Sequence, residues 1–238
     1  MGKLEIKIIA MKEPNIYFIS YADEKYDAIQ RQRNKELKEI GYFDDIFTFT
    51  RGWLESCDFY KDNQKILDEP RGGGWCAWKS YILQQTLHAV EPGSIVLYAD
   101  VLDKISGSKD DFRECLFDLT EDHDVVLTSG KYLNKQYTKH HTFLGMAADT
   151  KQFRDAIMIE AGIILLKKTL QVQDLIEEYV YYSTQKDLID GTLGEECPEF
   201  IDVRWDQSIL SIMAVRYNLY QTDRLRKYIT CNFYPIPI

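Results

Sequence analysis

Runs of Ile, Val, Tyr and Phe recur along this chain, either continuous or alternating, and each gives way to a longer segment with helical spacing. That alternation constrains the fold more than any other feature, because it is the pattern of βαβ units and of a largely parallel sheet. The predicted strands are NIYFISYA (15–22), DIFTFT (45–50), SIVLYAD (94–100), DVVLTSG (124–130) and AGIILLKK (161–168). Helices are expected at about 24–40, 77–89, 109–119, 151–158 and 172–186. A last one, WDQSILSIMAVRYN, carries Ile209, Ile212, Met213 and Tyr217 on one stripe.

Two segments fit neither period: 129–145 and 185–204 are long, polar and broken by Gly and Pro. Connections of that length in a compact domain are often lids or binding loops, so they are candidates for the substrate side. With 238 residues, 45% of them hydrophobic, one α/β domain is the expectation. A net charge of −9 disfavours nucleic acid and anionic lipid as partners, since both are held by neutralising phosphates, although a local group of cations can still hold one phosphorylated small molecule. The five cysteines form no CxxC pair and read as buried thiols in a reducing compartment. No segment has the roughly 20 apolar residues of a spanning helix, and Ile6 stands where a myristoylation signal wants Ser or Thr, so a soluble, cytoplasmic protein is expected. The C-terminal NFYPIPI is apolar enough to dock on the body.

The stretch RGGGWCAWKSYIL (71–83) sets three glycines before a Lys-Ser pair. A Walker A loop needs Gly immediately before that Lys, so that backbone N–H groups can wrap phosphates. Trp78 occupies the place, and the P-loop reading fails. Two readings stay open: a glycine turn ahead of a helix anchored by tryptophans, and an aromatic loop that presents Lys79 near a helix N-terminus, where anions are welcome.

SIVLYADVLD ends an apolar strand on Asp100, with Asp103 three residues on. In open α/β sheets ligands bind outside the carboxyl ends of the strands, and two carboxylates there can hold Mg2+ or Mn2+ against a diphosphate. RWDQSILSIM places Arg204, Asp206 and Gln207 before an apolar helix; Asp206 suits an N-cap, and an Asp-Gln pair suits sugar hydroxyls. Lys131, Lys135, Lys139, His140 and His141 crowd one loop, which reads either as solvated charge or as a site for a pyrophosphate leaving group, with Lys139 preferred.

Taken in order, GGGWCAWKSYILQQTL, PGSIVLYAD, AGIILLKKT and RWDQSILSIMAVRYNL resemble a family of small bacterial and viral sugar transferases of the GT-A fold. IYFISYADEKY and YTKHHTF are similar to theirs as well, so the resemblance covers about residues 15–220. It puts Trp78, Lys79, Asp100, Thr138, Lys139, Gly162, Arg204, Asp206 and Gln207 on family motif positions, and it implies a GT-A-like single domain with a mixed, mostly parallel sheet flanked by helices. By the same resemblance Ser20 and Tyr21 face the nucleotide base, the Tyr98-Ala99-Asp100 strand end holds metal and diphosphate, and Asp206 with Gln207 lies near the reacting sugar. The chain departs from the family in two places: Asp-Val-Leu-Asp replaces the usual Asp-x-Asp, and Trp-Lys-Ser replaces Trp-Lys-Pro.

The expected activity is therefore transfer of a sugar from a nucleotide-diphosphate donor, a UDP-sugar, to a hydroxyl of a glycan, assisted by Mn2+ or Mg2+. Two alternatives remain from the sequence: a catalytically inactive carbohydrate-binding protein on the same fold, and a nucleotidyltransferase.

Overall fold

The structure, a computed structural model, describes residues 13–190 and 196–230. The N-terminus with Gly2 and Ile6, Cys231 and the NFYPIPI tail lie outside the described residues, as does part of the second long loop.

Each of the five apolar runs forms a strand, and three two-residue strands add to them. β1 (Ile16–Ala22), β2 (Asp45–Thr50), β3 (Ile95–Ala99), β5 (Val125–Leu133), β6 (Ile157–Lys167) and β7 (Tyr220–Gln221) make one six-stranded sheet in the order β2-β1-β3-β6-β5-β7; β4 (Lys104–Ile105) pairs separately with β8 (Ile229–Thr230). Within the six-stranded sheet β1 runs parallel to both β2 and β3, β5 runs parallel to β7, and only β6 is antiparallel to both its neighbours. Every residue of β3 is buried, as befits a strand covered on both faces.

Alternation along the strands builds two cores. Ile19, Tyr21, Val96, Tyr98 and Ile164 face one way, beneath helices Trp78–Ala89, Leu170–Ser183 and Trp205–Arg216. Ile16, Phe18, Leu97, Ile163 and Leu165 face the other, beneath helices Asp27–Ile40 and Lys109–Asp122. Each fully buried aliphatic or aromatic side chain contributes about 1.5–3 kcal/mol of burial free energy. Local signals set the helix ends: Gly41 adopts φ 76 and closes the first long helix, while Ser108 and Thr169 accept hydrogen bonds from Asp111 N and Val172 N.

Three expectations are corrected. The helix expected over 151–158 is confined to Lys151–Arg154, because β6 begins at Ile157. Tyr217 is 46% exposed and off the buried stripe; the last helix is covered nearly all round, so Ser208 and Ser211 are buried beside Ile209 and Ile212, and each hydroxyl donates to a backbone carbonyl. The segment 129–145 is not one open loop: β5 runs on to Leu133, and short helices span Asn134–Tyr137 and His140–Gly145. No helix among the described residues is long and apolar enough to cross a membrane.

Candidate active site

The three glycines build a left-handed turn. Gly72, Gly73, Gly74, Trp75 and Cys76 have φ of 62, 56, 97, 50 and 57° in succession. Left-handed backbone costs roughly 1–2 kcal/mol at each residue that carries a Cβ, so glycine holds the first three places and packing must hold Trp75 and Cys76. Against this turn lies Trp205, also left-handed at φ 44; a Cβ on Gly72 would stand 3.3 Å from its ring. Both strained segments lead directly into a charged residue, since Lys79 follows the first and Asp206 the second.

The Lys79 Nζ lies 3.0 Å from Asp206 Oδ2 and 3.8 Å from Asp100 Oδ1, and it donates to Ala161 O at 3.1 Å. The Lys79 and Asp206 side chains are 5% and 4% exposed, whereas Asp100 is 51% exposed and forms the open member of the group. The Tyr98 hydroxyl donates to Asp100 Oδ1 at 2.6 Å, and the Tyr179 hydroxyl to Asp206 Oδ2 at 3.1 Å. Ala161 N donates to Gln207 Oε1 at 3.4 Å.

A bulge makes the Ala161 groups available. Pairing of β5 with β6 jumps from Leu127↔Ile164 to Thr128↔Glu160, which leaves Ala161 without a partner on β5. Its carbonyl and N–H go instead to Lys79 and Gln207. One irregularity in the sheet thus seats groups from two helices.

Burial opposes the Lys79 charge, but Asp206 and Asp100 outweigh it and raise the ammonium above its ordinary value. Burial raises the Asp206 carboxyl; the Lys79 charge pulls it back. At 3.0 Å the pair is held as ions, each the remedy for the other's burial. Tyr98 is raised well above the usual phenol range by burial and then by Asp100, so it serves as a hydrogen-bond donor.

Of the remaining sequence-predicted residues, Tyr21 stacks on Trp78 (centroids 3.7 Å apart, planes at 19°), and Trp78 Nε1 donates to Gly72 O at 3.2 Å. Ser20 is buried on the opposite face of β1 and accepts from Arg33 Nη2 at 3.2 Å. Lys139 is fully buried, its Nζ 3.8 Å from Asp190, and is not among the contacts of Lys79. Lys135 pairs with Asp155 and Glu199, and His140 with Asp149, so the charges of that loop disperse to separate partners.

Arg33 and Tyr179 were missed in the sequence. Arg33 donates to Asp100 O at 2.5 Å and to Asp103 O at 3.3 Å, which fixes the turn that carries both acids; burial lowers its pKa to about 10. The signal was present as Gln30, Arg33 and Leu37, a helix stripe whose inward positions are partly polar. Tyr179 likewise follows Val172, Leu175 and Ile176 on a buried face, where a phenol needs a partner.

A groove of about 750 Å³ lies elsewhere, lined by His123, Val172, Leu175, Glu178 and Tyr220 among others. It opens at the end of β5 opposite to Asp100 and touches none of the converged residues.

Neither a scan of protein-family models nor a search of curated proteins gives a match to this sequence. Solved structures do match. The bifunctional glycosyltransferase WbbM aligns with a TM-score of 0.52 at 10% identity, over 91% of this chain and 40% of that one. Mouse xyloside xylosyltransferase 1 aligns at 0.47 with 10% identity, over 88% and 84% of the two chains, and the galactosyltransferase LgtC at 0.45 with 14% identity, over 83% and 70%. The match to WbbM carries the comparison, and at that identity it speaks for architecture: this chain has the mixed, mostly parallel α/β fold of GT-A glycosyltransferases.

Proposed function

We propose that this protein is a single-domain, cytoplasmic glycosyltransferase that moves a sugar from a UDP-sugar donor to a hydroxyl of a glycan acceptor. The observation that carries the reading is the sharing of one buried ammonium, Lys79, between Asp100 at the carboxyl end of β3 and Asp206 at the start of the last helix. It joins the three sequence blocks in one place, at the strand end where α/β sheets bind ligands.

The residues fit a divalent ion. Gly162 backs Asp100, donating no side chain and accepting from Asp100 N at 2.9 Å; a Cβ there would stand 3.0 Å from Asp100 Oδ2 and 3.9 Å from Asp103 Oδ2. Two carboxylate oxygens thus border a space that any other residue would fill. No third His, Cys, Asp or Glu joins them among the described residues, which suits Mg2+ or Mn2+, ions that take one or two carboxylates and complete their shell with water and phosphate oxygens. Bound there, the ion would neutralise charge on a departing diphosphate.

The chain's own groups orient the rest. Tyr98 and Arg33 hold Asp100 in place through its carboxylate and its carbonyl. Lys79 and Tyr179 hold Asp206, and Ala161 N holds Gln207, so the Asp-Gln pair meets the sugar or the acceptor hydroxyl already ordered. Trp78 and Tyr21 stack on the β1 side and would border the base of the donor.

Gly162→Ala should fold with a melting temperature close to that of the wild type, because the half-exposed Asp100 can yield. Its Mn2+-dependent gain in UDP affinity should fall about 10–100-fold, the scale of disturbances next to a metal's ligands. Calorimetry with and without Mn2+ reads both; an unchanged gain removes the ion from this place. The test of the whole reading is UDP release from a panel of UDP-sugars. Wild type should release UDP, and Asp100→Asn should lose roughly 100-fold, as when one preorganised charge contact is removed. Pyrophosphate release would mark a nucleotidyltransferase, and glycan binding indifferent to nucleotide would mark a silent binding protein.

A further inference from the structure

All ten arginines of the chain lie among the described residues, and nine direct the guanidinium to an oxygen atom, among them Arg71 to Asp202, Arg216 to Glu178 and Arg224 to Asp118. Arg204 is the exception. Its guanidinium lies over the ring of Tyr137, 4.9 Å from the centroid, and donates to no oxygen of the described residues. The acids nearest in sequence are engaged, Asp202 with Arg71 and Glu199 with Lys135.

The position is built. Arg204 N donates to Tyr137 O at 3.0 Å, and Ser208 Oγ donates to the same carbonyl at 2.7 Å. Tyr132, 48% exposed, packs its ring 4.7 Å from that of Tyr137. Arg204 is only two residues before Asp206, the partner of Lys79. Tyr137 lies just past β5, at the same end of the sheet as Asp100, because β3 and β5 both run antiparallel to β6. In the sheet order it falls beyond β6, on the side away from β1 and β2 and the wall of Tyr21 and Trp78.

We propose that Arg204 receives an acidic group, a carboxylate or phosphate, carried by the acceptor. The inference rests on the glycosyltransferase reading above and names its acceptor class. A guanidinium offers a planar fork of donors that matches a carboxylate or phosphate in bidentate fashion, and a ring beneath it holds the plane without consuming those donors. In a chain of net charge −9 an anionic acceptor gains nothing from the overall field, so its selection needs a dedicated cation beside the reacting centre. The exposed ring of Tyr132 adds an apolar surface against which a sugar can lie.

The test titrates the full chain, with UDP and Mn2+ present, with methyl glucuronide, glucose 6-phosphate and methyl glucoside. Wild type is expected to bind one of the acidic probes at least tenfold more tightly than the neutral one. Arg204→Gln should erase that preference, and Arg204→Lys, which keeps the charge but not the fork, should retain part of it. With an active donor in hand, Arg204→Gln should raise the KM for the acidic acceptor far more than it lowers kcat. No acid preference in wild type, or a preference that survives in Arg204→Gln, overturns the proposal. So does a loss confined to UDP affinity, which would make Arg204 a donor contact. A separate arm, the thermal shift of wild type by UDP with and without Mn2+, reports on the parent reading: no shift there sinks the glycosyltransferase assignment, whatever Arg204 does.

Discussion

Lys79→Met is expected to lower the free energy of unfolding by about 3–5 kcal/mol, the usual result of stripping one member from a buried ion pair. The methionine fills most of the space, so lost packing is a small part of the effect. What remains is the Asp206 carboxylate, 4% exposed, with Tyr179 as its surviving side-chain donor. Adding Asp206→Asn should recover most of the loss, because the amide carries no charge to strand and still accepts from Tyr179. Neither variant should release UDP at the wild-type rate. Urea unfolding of the two singles and the double decides the matter; additive losses would mean that the pair is not coupled.

The dependence on pH carries a sign. Lys79 has a folded pKa raised above its ordinary 10.5, so its contribution is fully present below that value and is lost as the pH climbs through the higher folded one. The gap between wild type and Lys79→Met should therefore close as the pH rises into strongly alkaline solution, and it should narrow toward acid as well, because the Asp206 carboxyl of the variant, no longer pulled down by the Lys79 charge, takes up a proton more readily. A gap that closes with rising pH already below the ordinary lysine value would mean that the ammonium is not the source.

Gly74→Ala should cost about 2–5 kcal/mol, from left-handed strain together with overpacking, and Gly73→Ala about 1 kcal/mol. Both residues are left-handed, at φ 97 and 56°. They differ in surroundings: a Cβ on Gly74 would meet Leu67 Cα at 2.6 Å and Leu67 O at 3.0 Å, rigid backbone that cannot swing away, whereas a Cβ on Gly73 meets nothing nearer than 3.9 Å. Gly74→Ala must shift the turn and with it Trp78 and Lys79, so donor binding should weaken alongside stability. Chemical denaturation of the two variants side by side separates crowding from strain. Equal losses would show that the close approach to Leu67 does not matter.

The same turn shows how differently the layers of this protein could be read. The RGGGW string announces a turn, but nothing in it says that the chain stays left-handed for five residues, because Trp75 and Cys76 have no local preference for that backbone. Packing imposes it. Arg33 was passed over for a related reason: on a helix surface an arginine is ordinary, and only its burial against the Asp100 turn gives it a role. The lysine-rich loop shows the opposite case, a stretch that stands out in the sequence and disperses in the fold. Its composition left solvated charge and a single anion site both open, and in the fold Lys135, Lys139 and His140 each answer to a different acid.

Apolar periodicity by itself determined the succession of strands and helices, the two-faced sheet and the placing of Asp100 at a strand end, since those depend on side-chain period and on the burial it enforces. Only the tertiary structure decided that Lys79 would reach both Asp100 and Asp206, residues 21 and 127 positions further along the chain. That meeting depends on strand order, on a bulge that releases the backbone of Ala161, and on two left-handed segments pressed together. All three are consequences of how the layers pack, and none is a property of a short stretch of residues.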